Sequence, residues 1–196
     1  MGKVYAAIDG RLREFLLAQP VFFVATAPTE GHVNVSPKGM RGTFTVLDGR
    51  RVAYLDYTGS GVETIAHLRD NGRITVMFCA FEGPPTIVRL HGRGEAVRPE
   101  DPRFADLRRA FAPDHDEHGL RSIIVVDVER ISDSCGFAVP LMRYVGERGL
   151  LTEWARRRSP EDLAAYRRTR NAASIDGLPG LDEAIGSAHE GASAST

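Results

Sequence analysis

Hydrophobic positions change their spacing several times along this chain, and each change predicts an element. Ile8, Leu12, Phe15, Leu16 and Gln19 recur at helical spacing with Arg11, Arg13 and Glu14 between them, and Pro20 stops the pattern. This reads as an N-terminal amphipathic helix. From Val21 the signal shortens to β-type runs: VFFVAT, then HVNVS after Thr29-Glu30-Gly31, TFTVL, and RVAYLDY after Asp48-Gly49, a strong hairpin mark between alternating apolar segments. A helix interrupts the strands over Ser60–Arg69. Its Ser60-x-x-Glu63 start has the form of a capping box, and Asn71-Gly72 ends it. Two further strands, RITVMFCAF and TIVRLHGRGEAV, precede Phe104, Leu107 and Phe111, which sit at helical spacing between Pro102 and Pro113. RSIIVVDVERI is the most β-rich run and predicts a central strand. Short strands joined by tight turns predict an antiparallel barrel or meander rather than a doubly wound parallel sheet.

Beyond Cys135-Gly136-Phe137-Ala138-Val139-Pro140 the composition turns helix-forming and arginine-rich, with eight arginines against four carboxylates between Leu141 and Arg170. The last ten residues, SAHEGASAST, contain no core-forming side chain and read as disordered. The organisation expected is therefore a barrel domain over 1–140, a helical extension over 141–180 and a flexible tail over 181–196. At 196 residues the chain is long enough to bury a core without metal or disulfide staples. Its 25 basic and 26 acidic residues leave a formal charge of −1, which argues against an extended polyanion such as nucleic acid as partner. Cys79 and Cys135 are far apart and form no spaced framework, and no apolar run approaches the ~18–20 residues of a membrane helix. Charges fall where a signal peptide would carry its apolar region. A cytoplasmic protein without a membrane partner is the expectation.

Two segments could carry chemistry. Asn34-Val35-Ser36-Pro37-Lys38-Gly39 ends a predicted strand with a hydroxyl, a cation and an unhindered backbone amide, the groups that meet the charge of a phosphate monoester. The competing reading is a hairpin turn with a solvated lysine. Thr58-Gly59-Ser60-Gly61-Val62-Glu63-Thr64 delivers the chain through glycines into a helix N-terminus, where unpaired amides and the helix dipole favour an anion. Reciprocal capping by Ser60 and Glu63 explains the same residues without a ligand. The third glycine of a dinucleotide fingerprint and the lysine of a P-loop are both missing.

Taken in order, these two segments, the strand ending in Tyr54 to Tyr57, and the junction HLRDNGRITVMF resemble the FMN-binding split barrel of the pyridoxamine 5′-phosphate oxidase-like family, over roughly residues 10–135. The fold so implied is mainly β with flanking helices, an antiparallel six-stranded split β-barrel of the FMN-binding type carrying a helical C-terminal extension. The resemblance further implies a homodimer with FMN in a groove at the subunit interface. Ser36, Pro37, Lys38 and Gly39 would form one phosphate- and ring-contacting element, Thr58, Ser60, Gly61 and Thr64 a second, and Tyr57 would border the ring. Many relatives carry a cationic residue where Glu63 and Thr64 stand, so Glu63 is expected to turn away into its capping box. The Arg-Leu-x-Pro element with which the true vitamin B6 oxidases hold substrate is absent, and pyridoxamine phosphate oxidation is not the expected activity.

The function implied is an FMN-dependent oxidoreductase acting on an unidentified small molecule, with no catalytic acid or base standing out. Two alternatives use the same fold: an F420-dependent reductase whose anionic cofactor tail would meet Arg69, Arg73 or the C-terminal arginines, and a non-enzymatic flavin- or haem-binding protein with His67 or His91 as axial ligand. Cys135 reads as a packed small side chain rather than a nucleophile. Asp114-His115-Asp116-Glu117-His118 reads as a solvated loop rather than a metal site, and the arginines from Arg156 to Arg170 as a solvated helical face.

Overall fold

The computed structural model describes residues 2–113 and 115–181. A two-residue strand β1 (Val4–Tyr5) precedes helix α1 (Gly10–Ala18), strands β2 (Phe22–Thr26), β3 (Asn34–Lys38), β4 (Phe44–Val46) and β5 (Arg51–Tyr57), and helix α2 (Glu63–Asp70). Strands β6 (Arg73–Cys79) and β7 (Thr86–Val97), helix α3 (Phe104–Arg108), the 16-residue strand β8 (Leu120–Cys135) and helices α4 (Leu150–Arg156) and α5 (Pro160–Arg170) complete the order. Asp9 accepts a 2.8 Å bond from the Leu12 amide and so starts α1, two residues after the apolar spacing begins at Ile8.

All pairings are antiparallel, and the sheet runs β3-β2-β6-β7-β8-β5-β4, with β1 added to β8. β3 and β4 therefore lie at opposite ends of the path while being consecutive in the chain. In a flat sheet they would stand about 29 Å apart, six spacings of ~4.8 Å. The six Cα steps from Lys38 to Phe44 reach roughly 20 Å at most. The sheet must curl until its two ends approach, and because β3 and β4 do not pair, the result is a split barrel. Six strands have five or more residues, the number the family resemblance implies, and the short β1 and β4 bring the total to eight.

Inside the curl, Phe22 packs within 5.5 Å, centroid to centroid, of Phe44, Tyr54 and Phe78. Leu12, Leu16, Leu90, Ile124 and Val126 join the same core. The reason β8 reads as a continuous apolar run is that both its faces are covered: Ile124 and Val126 point into this core, while Ile123 and Val125 join Ala53, Leu55 and Phe111 in a second cluster with Phe104 and Leu107 of α3. Phe111 belongs to that cluster although the helix ends before it.

Three expectations change. Cys135 is exposed at the end of β8 rather than packed, because the sheet stops there; Cys79 is the buried cysteine. The segment after Pro140 is not helical at once: residues 137–148 run as an irregular strap before α4. Leu181, placed at the start of the expected flexible tail, is buried in the main core; residues 182–196 lie outside the described part. Among the described residues no helix is long and apolar enough to cross a membrane.

Candidate functional site

Pro37 tells where β3 must lie. Lacking an amide hydrogen, it suits only an edge strand, and β3 pairs with β2 alone. With a period of two, Asn34, Ser36 and Lys38 share the more sheltered face, and Val35 and Pro37 the exposed one. Ser36 donates to Asn34 Oδ1 at 3.2 Å, and Asn34 reaches the Thr64 hydroxyl of α2 at 3.4 Å, so a polar chain links the edge strand to the start of the helix.

Beneath this edge lies a buried ion pair. The register of β5 against β8 steps from Asp56↔Ser122 to Tyr57↔Leu120, which leaves Arg121 as the extra residue of a bulge and re-aims its side chain. Arg121 Nε meets Asp56 Oδ2 at 2.6 Å, with the two side chains 5% and 2% exposed, and Ser122 Oγ donates to the same oxygen at 3.1 Å. Lys38 Nζ stands 3.6 Å from Asp56 Oδ1. Burial alone would push the Asp56 carboxyl up; the charges of Arg121 and Lys38 and the hydrogen bonds outweigh it and hold the carboxyl below its ordinary value. Two cations and one carboxylate leave this triad one positive charge.

Arg121 also fixes the glycine loop. Its Nη1 donates to Gly61 O at 2.8 Å and to Asn171 Oδ1 at 3.0 Å, and Asn171 Nδ2 donates to Gly59 O at 3.0 Å. Thus two carbonyls of the loop are tied down. The capping box expected between Ser60 and Glu63 does not form, because the anchored loop delays the helix: α2 begins at Glu63, its N-cap is Val62, and no side chain caps it. The Glu63 carboxylate instead accepts from the Ile175 amide at 3.3 Å, and Glu63 does not turn away as expected: it lines the cleft beside Gly61 and Thr64.

These elements enclose a cleft of about 1460 Å³. Of the predicted site residues, Ser36, Pro37, Lys38, Gly39, Tyr57, Ser60, Gly61 and Thr64 all line it. Thr58 does not: it is buried, donates to Gly119 O at 2.9 Å and accepts from Arg167 Nε at 2.9 Å. The sequence reading missed Arg121 as a lining residue and Asp56 beneath it, and gave Asn34, the first residue of its first segment, no role of its own. The signal was there: a charged residue within RVAYLDY and another at the head of the most apolar strand must be paired if both strands are buried.

The remaining wall is the strap. Met142 donates to Phe81 O at 2.9 Å, Tyr144 N to Glu82 Oε1 at 3.3 Å, and Glu147 accepts from Arg41 N at 3.2 Å, so the strap spans from the β6–β7 turn to the β3–β4 turn. Other predicted residues lie elsewhere. His67 is buried with Nδ1 3.0 Å from the Thr26 hydroxyl, and neither it nor His91 lines the cleft, which removes the axial ligands of the haem alternative from this site. Arg69 is spent on Gly180 O, and Arg73 on Asn71 Oδ1 and Pro28 O, so neither lines the cleft; of the C-terminal arginines Arg143 and Arg148 do, together with Arg41 and Arg121. The histidine-rich loop fastens α4: His118 Nε2 lies 3.0 Å from Ala155 O, and Asp116 pairs with Arg156 at 2.7 Å. No metal-ligating cluster occurs among the described residues.

The family model described as pyridoxamine 5′-phosphate oxidase matches residues 8–135. The chain belongs to the pyridoxamine 5′-phosphate oxidase family. A family member from Aspergillus flavus, the pyridoxamine 5′-phosphate oxidase family protein ustO, is 40% identical over 198 residues, covering 92% of this chain and 78% of that protein. Among solved structures, HupZ of group A Streptococcus has the same fold, with a TM-score of 0.51 and 22% identity over 63% of this chain and 91% of its own. A protein described as FAD-binding from Mesorhizobium loti gives a TM-score of 0.49 at 18% identity, covering 68% of this chain and 95% of its own. The stretch shared with the family model contains the two predicted segments and Arg121; the strap and Asn171 fall beyond it.

Proposed function

We propose that the protein binds FMN in this cleft and uses it for two-electron oxidoreduction of a small molecule. The observation that carries the reading is the meeting, in one cleft, of eight of the nine residues assigned from sequence, together with the buried Arg121. A phosphate monoester carries about −1.5 to −2 charges at neutral pH. The donors present are Lys38 and Arg121 around Asp56, the Ser36 and Thr64 hydroxyls, and the amides at the start of α2, while the Glu63 carboxylate on the same wall opposes the phosphate and is turned toward the Ile175 amide. Asp56 keeps Lys38 from extending into solvent, and the tied carbonyls of Gly59 and Gly61 hold the loop in one shape before any ligand arrives. Tyr57, half-buried and anchored through its hydroxyl to Asp116 O at 3.0 Å, would border the ring system. Bound FMN would supply hydride or electron exchange, and the chain's own part is to place substrate beside it and to exclude water.

The outer edge of β3 is unpaired among the described strands, and Val35 on it and Val33 just before it are exposed. This supports a homodimer that completes the groove, and sedimentation should then give twice the 21.5 kDa chain mass. The test of the function is direct. Purified protein offered FMN should show saturable quenching of flavin fluorescence and a flavin absorption spectrum after gel filtration. Absence of both would overturn the reading, and a clear preference for F420 in competition would transfer it to the deazaflavin.

A further inference from the structure

The cleft is larger than one ligand needs. Sites for a single cofactor or small molecule usually span about 300–1,000 Å³, whereas this one holds about 1460 Å³. Its two ends also differ in chemistry. One is the phosphate-type end of Ser36, Lys38, Ser60 and Thr64; the other is the strap wall, where Arg143 and Arg148 stand among Met142, Leu151 and Phe81.

At that second end three cations, Arg41, Arg143 and Arg148, outnumber two carboxylates, Glu82 and Glu147, and each carboxylate is already oriented by hydrogen bonds. Glu147 accepts from the Tyr144 hydroxyl at 2.8 Å and from the Arg41 amide, Glu82 accepts from the Tyr144 amide, and the Arg41 guanidinium lies 4.8 Å from the Tyr144 ring. The two remaining cations are not so held. Among the described residues Arg143 and Arg148 have no hydrogen-bond or ion-pair partner, although both line the cleft. A guanidinium presents a planar fork of donors that matches a carboxylate in two parallel bonds, and the neighbouring apolar side chains suit the body of such a molecule.

We infer that the strap wall is a substrate subsite for a carboxylate-bearing small molecule with an apolar body, its carboxylate held by Arg143 and Arg148. This rests on the flavin reading for the other end of the cleft, but it can be tested apart from it. The strap reaches the wall from outside the segment shared with the family model, so this selectivity belongs to the C-terminal extension.

The experiment is calorimetric titration at low ionic strength of the full chain, with and without saturating FMN, using benzoate, 4-phenylbutyrate and N-acetylphenylalanine, the amide of each, and phenyl phosphate. The expected result is that at least one carboxylate binds about tenfold or more tightly than its amide, the factor a charge-assisted pair contributes. The preference should vanish in the double variant Arg143→Gln with Arg148→Gln, both exposed positions whose replacement leaves the core untouched. Lys38→Ala at the other end should keep it. Equal binding of acid and amide, no measurable binding of any carboxylate, a preference that survives the double variant, or, with FMN saturating, tighter binding of phenyl phosphate than of every carboxylate would each overturn the inference. Loss of FMN binding with an intact carboxylate preference would instead strike the flavin reading alone.

Discussion

Asp56 and Arg121 meet at 2.6 Å on adjacent strands, both buried, directly under the cleft. A buried ion pair of this kind adds little net stability, but removing one partner strands the other charge in a low-dielectric interior. Asp56→Asn should therefore destabilise the fold by about 3–5 kcal/mol, since it leaves Arg121 and Lys38 facing each other without a counter-charge. Urea denaturation measures this, and a change below ~1 kcal/mol would mean that water or relaxation supplies what the carboxylate does.

The same carboxylate sets an acid response. Its folded pKa lies below the ordinary 3.8 because Arg121 and Lys38 outweigh its burial, so the unfolded chain binds the proton more readily. The stability it contributes is present in full above that ordinary value and is lost as pH falls through the lower folded one. A wild-type stability curve taken downward from about pH 5 should fall more steeply than that of Asp56→Asn. Parallel curves would assign acid sensitivity to other groups.

Lys38 reaches the cleft while held 3.6 Å from Asp56 Oδ1. Removing it takes a charge-assisted donor from the phosphate end but buries no unpaired group. Lys38→Ala should weaken FMN binding by roughly tenfold to a hundredfold, from the ~1.5–3 kcal/mol of a hydrogen bond to a charged group. Fluorescence titration reads it, and an affinity within twofold of wild type would place the phosphate elsewhere.

What sequence could and could not show follows from the range of the forces involved. RVAYLDY and TIVRLHGRGEAV gave β5 and β7 to the residue, since alternation and turn residues are local signals. Seven of the cleft residues lie in two short segments whose backbone needs are written in Ser, Pro, Gly and Thr, and Tyr57 came only with the family resemblance. Arg121 was not legible locally, because its role depends on a bulge in a register between strands 65 residues apart. Asn171 was not either. It ends α5 and acts on Gly59, 112 residues away, and only tertiary packing brings the two together. The misread capping box has a similar origin: Ser60-x-x-Glu63 is a sound local pattern, overruled by distant residues that hold the loop open.

Asn171 is fully buried and joins the Arg121 guanidinium to the Gly59 carbonyl. Asn171→Ala would leave one donor and one acceptor without their partner, at a cost of about 1–3 kcal/mol for each group that stays unsatisfied. The loop would also lose half of its anchoring. FMN affinity should therefore fall several-fold even though Asn171 does not line the cleft, and Asn171→Asp, which keeps an acceptor for Arg121, should recover part of it. Unchanged affinity with lowered stability would give Asn171 a structural role only.

Gly180 tests the same support from the other side. Its φ is ordinary, so space and not backbone freedom keeps it small: an added Cβ would stand 2.4 Å from Asn171 O and 2.8 Å from both Val62 methyl carbons. Asn171 O already accepts from the Leu181 amide at 2.8 Å, and Val62 is the N-cap of α2. Gly180→Ala must push the 171–181 segment away from the head of α2, an overpacking that costs about 1–3 kcal/mol. Because Leu181 would leave the core with it, amide hydrogen exchange should quicken in residues 171–181 and in the 59–64 loop together, with FMN affinity falling in step. Faster exchange in 171–181 alone, with the loop and FMN binding unchanged, would show that the loop keeps its shape without the C-terminal segment.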